Sequence, residues 1–304
     1  MDKVQPGLEL LLQRKIGMVA GLNIGFITNH SSVTANLTSA VDALIESGVK
    51  ISAIFAPEHG VRGELADGQE FSESIDPRTG IPIFSLYGKT KKPTPEMLKD
   101  LDLLLFDIQD VGARFYTFLY TMALAIEACA EHNKRFVVLD RPNPLGGISV
   151  EGPVLEPQFS SFVGMYPIPI RYGLTIGETA RLFNHEFGID ADLEVVPLDG
   201  WRREMWFDQT GLPWIPPSPA MPSLETAVVY PGTCLIEGTN VSEGRGTSLP
   251  FQITGAPWIN GRTLADKLNQ ADLPGVRFRP THFTPNASKY LNELCEGIQL
   301  HVID

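Results

Sequence analysis

The chain has 304 residues, 43% of them hydrophobic, which is enough for one large domain or two ordinary ones around a sizeable core. Its formal net charge of −12 argues against nucleic acid or an anionic membrane surface as the main partner, since both call for clustered Lys and Arg. Cys129, Cys234 and Cys295 lack the paired spacing of a zinc site or a disulfide framework, and no apolar run of about eighteen residues marks a membrane span.

In chain order, Leu8, Leu11, Leu12, Ile16 and Val19 fall at helical spacing and predict an amphipathic helix leading into a first strand, Ile24 to Asn29. Leu37, Val41, Leu44 and Ile45 mark a helix face closed by Gly48. The second strand, Ile51 to Phe55, is a short apolar run without alternation, as expected of a strand covered on both faces. Pro57 stops it, and Glu58 and His59 follow at once. The polar segment Arg62 to Gly80 is too long for a simple connection and reads as a loop over the strand ends. A third strand, Ile81 to Leu86, precedes the helix start Thr94-Pro95-Glu96, and a fourth, Leu101 to Asp107, releases Asp110 and Arg114. An almost wholly apolar helix is predicted over about 113–131, then a fifth strand, Arg135 to Leu139, followed by Asp140, Arg141 and Asn143. This alternation predicts an α/β fold with a doubly wound parallel sheet.

Past Gly152 prolines and aromatics become frequent, which places a domain boundary near residue 155 and gives domains 1–155 and 156–304. Thr175-Ile-Gly-Glu178 is a capping box opening a helix to Phe187, and Leu193 to Leu198 looks like a strand. Trp201 to Pro222 holds three of the four tryptophans and suits an irregular wall around a ligand. Two apolar runs, Thr226 to Pro231 and Cys234 to Glu237, lead to a second polar knot, Gly238 to Thr247, with Asn240, Glu243 and Arg245. A short helix at Leu264 to Leu268 and strands at Arg277 to Phe283 and Ile298 to Val302 complete a smaller α+β domain.

Parallel sheets collect ligands at the carboxyl ends of their strands, and here those ends carry mostly carboxylates. Glycoside hydrolysis needs a proton donor on the leaving oxygen and a second group to manage charge at the sugar carbon, which paired carboxylates normally supply. Glu58, beside an apolar strand, is the first candidate for the donor, and Asp107 ends a still more apolar strand. The competing reading is a metal-dependent hydrolase, with His30, Glu58, His59, Asp107 and Asp110 as zinc or manganese ligands, although no tight ligand motif is present. A sugar-binding module without catalysis is the third. Neither phosphate-loop glycine pattern occurs, so no nucleotide cofactor is expected, and no serine or cysteine has a nucleophile motif. Arg245, between two glycines, can meet a ligand carboxylate in bidentate fashion or pair with Glu237 or Glu243.

Four stretches carry a resemblance: Ala56-Pro-Glu-His-Gly60 with Arg62-Gly63, Phe106 to Thr117, Leu139-Asp-Arg-Pro-Asn-Pro144, and Glu237 to Thr247. In this order they resemble the bacterial exo-acting β-N-acetylmuramidases, formerly a domain of unknown function. The resemblance implies a Rossmann-like domain joined to a smaller C-terminal domain that completes a cleft. It also implies removal of terminal N-acetylmuramic acid from the non-reducing end of peptidoglycan fragments, with no cofactor and no metal. Carried over motif by motif, it makes Glu58 the acid and gives Asp107 or Glu243 the task of orienting the second group, either the sugar's own 2-acetamido oxygen or a water. His59, Arg62, Asp110, Arg114, Tyr116, Asn143, Glu237, Asn240 and Arg245 then line the substrate, with Arg245 on the lactyl carboxylate. The opening residues lack the apolar core of a secretion signal, which leaves the protein either in the cytoplasm or outside it with a leader removed. Nothing in the sequence sets an oligomeric state.

Overall fold

The computed structural model describes residues 3–58, 60–62 and 73–304, and by internal contacts the chain divides into a unit of residues 1–219 and one of 220–304. The larger unit opens with α1 (Gly7–Leu10), which continues through a π turn and a 3-10 turn to Met18, so the expected first helix is helical throughout but changes pitch. β1 (Ile24–Thr28), α2 (Ala40–Glu46) and β2 (Ile51–Ala56) follow. Next come β3 (Ser74–Ile75), β4 (Pro82–Ser85), α3 (Pro95–Leu98) and β5 (Leu103–Asp107). α4 (Phe118–Glu131), β6 (Arg135–Leu139), α5 (Ile176–Glu186) and β7 (Leu193–Val196) complete it.

These strands form one sheet in the order β3-β4-β2-β1-β5-β6-β7, parallel except for β3, which pairs antiparallel with β4. Without β3 the sequence of strands is that of a doubly wound dinucleotide fold, 3-2-1-4-5-6, with its reversal of direction between β1 and β5. The registers Ile27 with Phe106 and Thr28 with Asp107 bring the carboxyl ends of those two strands level.

Both faces of the sheet are covered, which explains the continuous apolar runs. Ile24, Phe26, Leu103, Leu105, Val137 and Leu139 pack with Leu8 and Leu11 and with Val41 and Leu44 of α2 in one cluster. Alternate residues Ile27, Leu104, Phe106, Phe136 and Val138 are equally buried and point to the opposite face. α4 lies against β5, β6 and α5, and Leu119, Met122 and Ile126 have no exposure, each stabilising the fold by roughly 1.5–3 kcal/mol.

Two expectations change here. The helix predicted from residue 113 begins at Phe118, because Gly112 turns through φ +78° and Ala113 and Arg114 are drawn into backbone pairing with Ile170 and Arg171. The boundary placed near residue 155 falls instead after Pro219, since α5 carries the chain back to add β7 alongside β6 in the same sheet. The Pro-rich texture after Gly152 belongs to loops of the larger unit. α5 itself starts as its sequence dictates: Thr175 Oγ1 accepts from Glu178 N, and Glu178 Oε2 accepts from Thr175 N.

The smaller unit contains α6 (Leu224–Thr233), β8 (Ile253–Ala256), α7 (Gly261–Gln270), β9 (Val276–Phe283) and β10 (Cys295–Val302). Its sheet is antiparallel in the order β8-β10-β9, and α7 packs on β9 and β10. The two apolar runs at 226–237 are helical, the second as a 3-10 turn over Cys234–Gly238. No helix among the described residues is long and apolar enough to cross a membrane.

Candidate active site

The predicted residues fall into two groups, one in each unit. In the larger unit they sit on loops at the carboxyl ends of β2, β5 and β6. Glu58 follows β2, is half-buried, and accepts a hydrogen bond from Thr117 Oγ1 at 3.1 Å, directly before α4. Arg62 reaches back to Asp76, with Nη2 at 3.0 and 3.2 Å from its two carboxyl oxygens. Burial alone would raise Asp76, but hydrogen bonds from Thr79 and Arg62 hold its pKa below the usual value. His59 lies outside the described residues, as does most of the long loop after it.

Asp107 is fully enclosed. Its Oδ1 takes the Nε–H of Arg141, and its Oδ2 takes Arg141 Nη2 at 2.8 Å and the hydroxyl of Ser32. The Asp107 side chain has 0% exposure and that of Arg141 6%, so this is a bidentate ion pair out of water, placed at the reversal between β1 and β5. Asp110, also buried, accepts from Gly112 N at 2.7 Å and from the Tyr172 hydroxyl through Oδ2. Its Oδ1 has no hydrogen-bond partner among the described residues, and burial pushes its pKa up to about 6. Tyr172 is raised well above its ordinary value by burial and by the neighbouring Asp110 carboxyl.

Arg114 Nη1 donates to the carbonyls of Pro153 at 2.7 Å and Ile168 at 2.6 Å, and Tyr116 is buried with its ring edge-on to Phe118 at 4.9 Å. Asn143 donates to Leu174 O at 2.9 Å and accepts from Leu145 N at 2.9 Å, so it ties two loops. Asp140 receives Gly177 N at 2.8 Å at the start of α5 and Thr175 Oγ1 at 2.9 Å, and burial raises its pKa to about 6. A cavity near the Asp107 pair is lined on its polar side by Ser31, Gln109 and Arg141, and on its apolar side by Phe207, Leu212 and Ile215, part of the aromatic segment read as a ligand wall.

In the smaller unit the glycine-rich knot forms an ionic cluster. Arg245 Nε lies 2.8 Å from Glu237 Oε1 and 3.7 Å from Glu243 Oε1, with the guanidinium 5.0 Å from the Phe251 ring centroid. Glu243 is buried, and its Oε2 accepts from Lys289 Nζ at 3.1 Å. Asn240 is exposed, and its backbone oxygen accepts from the Tyr290 hydroxyl. Cys234 Sγ is 3.3 Å from Glu237 Oε2, and burial pushes that thiol up to about 12.

Of the proposed metal ligands, His30 hydrogen-bonds Pro216 O at 2.7 Å and Asp107 faces Arg141. Among the described residues no three His, Cys, Asp or Glu side chains gather as a metal-binding group. The sequence reading missed Ser32, Thr117 and Tyr172 as partners of these acids, and also Lys289. Thr117 closes a motif already singled out, whereas Lys289 lies 46 residues from the carboxylate it meets and carries no local signal.

Together these features define a two-unit α/β protein of Rossmann strand order whose loops carry carboxylates and guanidinium groups in place of a phosphate-binding glycine turn. The chain belongs to the Exo-beta-N-acetylmuramidase NamZ family, whose N-terminal domain matches residues 24–225 and whose C-terminal domain matches residues 228–304. It is similar to the peptidoglycan beta-N-acetylmuramidase NamZ of Bacillus subtilis (strain 168), with 56% identity over 303 residues, covering 99% of this chain and 73% of that protein. Two crystal structures of DUF1343 family proteins from Bacteroides fragilis NCTC 9343 are similar throughout. One has a TM-score of 0.93 at 44% identity, covering 99% of this chain and 78% of the other. The second has a TM-score of 0.80 at 35% identity, covering 100% of this chain and 77% of the other.

Proposed function

We propose that this protein is an exo-acting glycosidase that releases terminal N-acetylmuramic acid from the non-reducing end of peptidoglycan fragments. The observation that carries the reading is the 56% identity, over nearly the whole chain, to a peptidoglycan beta-N-acetylmuramidase. The geometry of the loops supports a division of labour. Glu58, half-buried at the end of β2 and held by Thr117, is the acid that protonates the leaving oxygen. Asp107 exposes none of its side chain and is already paired, which fits a positioning role for the β1, β5 and β6 loops better than contact with a sugar. Glu243 is likewise buried between two cations. With both remaining candidates enclosed, participation of the substrate's own 2-acetamido oxygen is the second half of the reaction we favour. Arg245, still partly exposed, supplies the cation for the lactyl carboxylate that separates muramic acid from glucosamine.

Incubation with a MurNAc-GlcNAc disaccharide, with and without a chelator, followed by mass analysis, tests this. Free N-acetylmuramic acid is expected in both arms, and its near-complete loss in Glu58→Gln with an unchanged circular dichroism spectrum. Binding without product would make the protein a sugar-binding module. Activity lost to the chelator and restored by zinc would make it a metal-dependent hydrolase.

A further inference from the structure

The cavity beside the Asp107–Arg141 pair is a slot of definite chemistry, lying where β1, β5 and β6 release their loops. Narrow and open on one side, it has room for a substituent of a few atoms rather than for a sugar ring. One wall is apolar, from Phe207, Leu212 and Ile215, and the other carries Thr34, Gln109 and Arg141. The apolar wall is fixed in place. Phe207 N donates to Pro144 O at 3.1 Å, the Phe207 ring stands edge-on to Trp214 at 5.0 Å, and His30 Nε2 lies 2.7 Å from Pro216 O.

Gln109 is only 5% exposed, yet half of its amide is unspent. Its Nε2 donates to Asp110 O at 2.8 Å and to Pro142 O at 2.9 Å. Only the NH2 end can meet two carbonyls, so the amide has one orientation, and Oε1 is left to the slot with no donor among the described residues. An acceptor on so buried a side chain calls for a partner. Thr34 supplies the complement: its Oγ1 accepts from Thr38 N at 3.2 Å, and its own hydrogen meets no acceptor among the described residues. Arg141 is already bound to Asp107 and to Val33 O, so the slot carries no net charge and offers an ionic ligand no counter-ion.

An acceptor, a donor and an apolar wall in a neutral slot match a secondary amide with a small apolar end. We propose, resting on the muramidase reading, that the slot seats the 2-acetamido group of an N-acetylated aminosugar. Its N–H donates to Gln109 Oε1, its carbonyl accepts from the Thr34 hydroxyl, and its methyl packs on Phe207, Leu212 and Ile215. The placement agrees. β2, which leads to Glu58, and β5, which leads to Gln109, flank β1 in one parallel array, so their carboxyl ends lie about 10 Å apart, within reach of one disaccharide. Both sugars of MurNAc-GlcNAc carry such a group.

The test is titration calorimetry on the full chain with sulfur-linked MurNAc-GlcNAc, which resists hydrolysis, and with two analogues that carry a hydroxyl in place of the acetamido group on the first or the second ring. The wild type should bind at least one analogue about tenfold more weakly than the parent, and the analogue that falls names the ring that is seated. Ile215→Trp fills the slot from its apolar wall, and Gln109→Met keeps the length while removing the acceptor. Each should bring the difference below about threefold and leave that analogue within about twofold of its wild-type affinity; a merely structural role would weaken all three ligands together. If Gln109→Met, which also gives up two carbonyl bonds, fails to fold, Ile215→Trp decides alone. Equal binding of the three ligands by the wild type, as expected of a slot that holds only water, overturns the proposal, and so does a difference that persists in either folded variant. Cleavage of the oxygen-linked disaccharide judges the muramidase reading apart: preference without cleavage keeps the slot and removes the enzyme, and no binding of any ligand removes both.

Discussion

Removing the Arg141 guanidinium would leave the Asp107 carboxylate at 0% exposure with, among the described residues, only the Ser32 hydroxyl as a side-chain donor. Breaking a buried pair from one side costs about 3–5 kcal/mol, because the abandoned charge has neither partner nor water. Arg141→Met should therefore lower the melting temperature by on the order of 10 °C, given about 2–4 °C per kcal/mol for a domain of this size. Asp107→Leu should cost a similar amount by stranding the cation. The double variant, an apolar pair in place of an ionic one, should cost at least about 2 kcal/mol less than the two singles together. Urea unfolding at neutral pH, followed by tryptophan fluorescence, measures all three. Singles that add, or an Arg141→Met penalty below about 1 kcal/mol, would mean that water reaches the pair and would refute the reasoning. The same double variant separates positioning from catalysis. As a scaffold Asp107 is replaceable, and turnover should stay within about tenfold of wild type; a loss beyond about a thousandfold would make it a chemical participant.

Asp110, raised by burial to about 6, holds a proton in the folded chain that the unfolded chain releases near pH 4, so its contribution to stability is complete below that and is lost as pH rises through about 6. Asp110→Asn should remove at most about 3 kcal/mol of that slope in urea midpoints; Asp140, raised for the same reason, keeps part of it. Arg114→Met removes the side-chain donor to the Pro153 carbonyl and one of two donors to Ile168 O, which keeps Leu155 N at 3.2 Å, and should cost about 1–3 kcal/mol in chemical denaturation. KM should change by less than about twofold, and a larger rise would place Arg114 on the substrate. Gly246→Ala, with φ +77° and a Cβ directed at Ala287, should destabilise by about 2 kcal/mol and weaken N-acetylmuramic acid binding together with it.

The parallel sheet was legible because each central strand is buried on both faces and so reads as an unbroken apolar run ending in polar residues: Ile24–Thr28, Ile51–Ala56, Leu103–Asp107 and Arg135–Leu139. Strand ends also gave the acids, because an apolar run that stops in Glu58 or Asp107 needs no distant information. What stayed hidden depends on partners far along the chain. Ala113 and Arg114 leave the helical pattern because Ile170 and Arg171 pair with them. Asp107 looks like a free acid until Arg141 and Ser32 close on it from neighbouring strands. The domain boundary was obscured because proline-rich loops after Gly152 resemble a change of domain while β7 still belongs to the first sheet.

The reversal between β1 and β5 is where related sheets hold the diphosphate of a nucleotide, positioned by a tight glycine turn and the start of a helix. Here β1 runs into a loop that reaches α2 only at Ala40, and the chain places an ion pair of its own at the reversal, the enclosed carboxylate of Asp107 against Arg141. Shared strand order alone therefore forecasts no affinity for ATP or NAD: an architecture known for carrying energy currency keeps, at its usual doorway, an internal ion pair in place of the glycine turn.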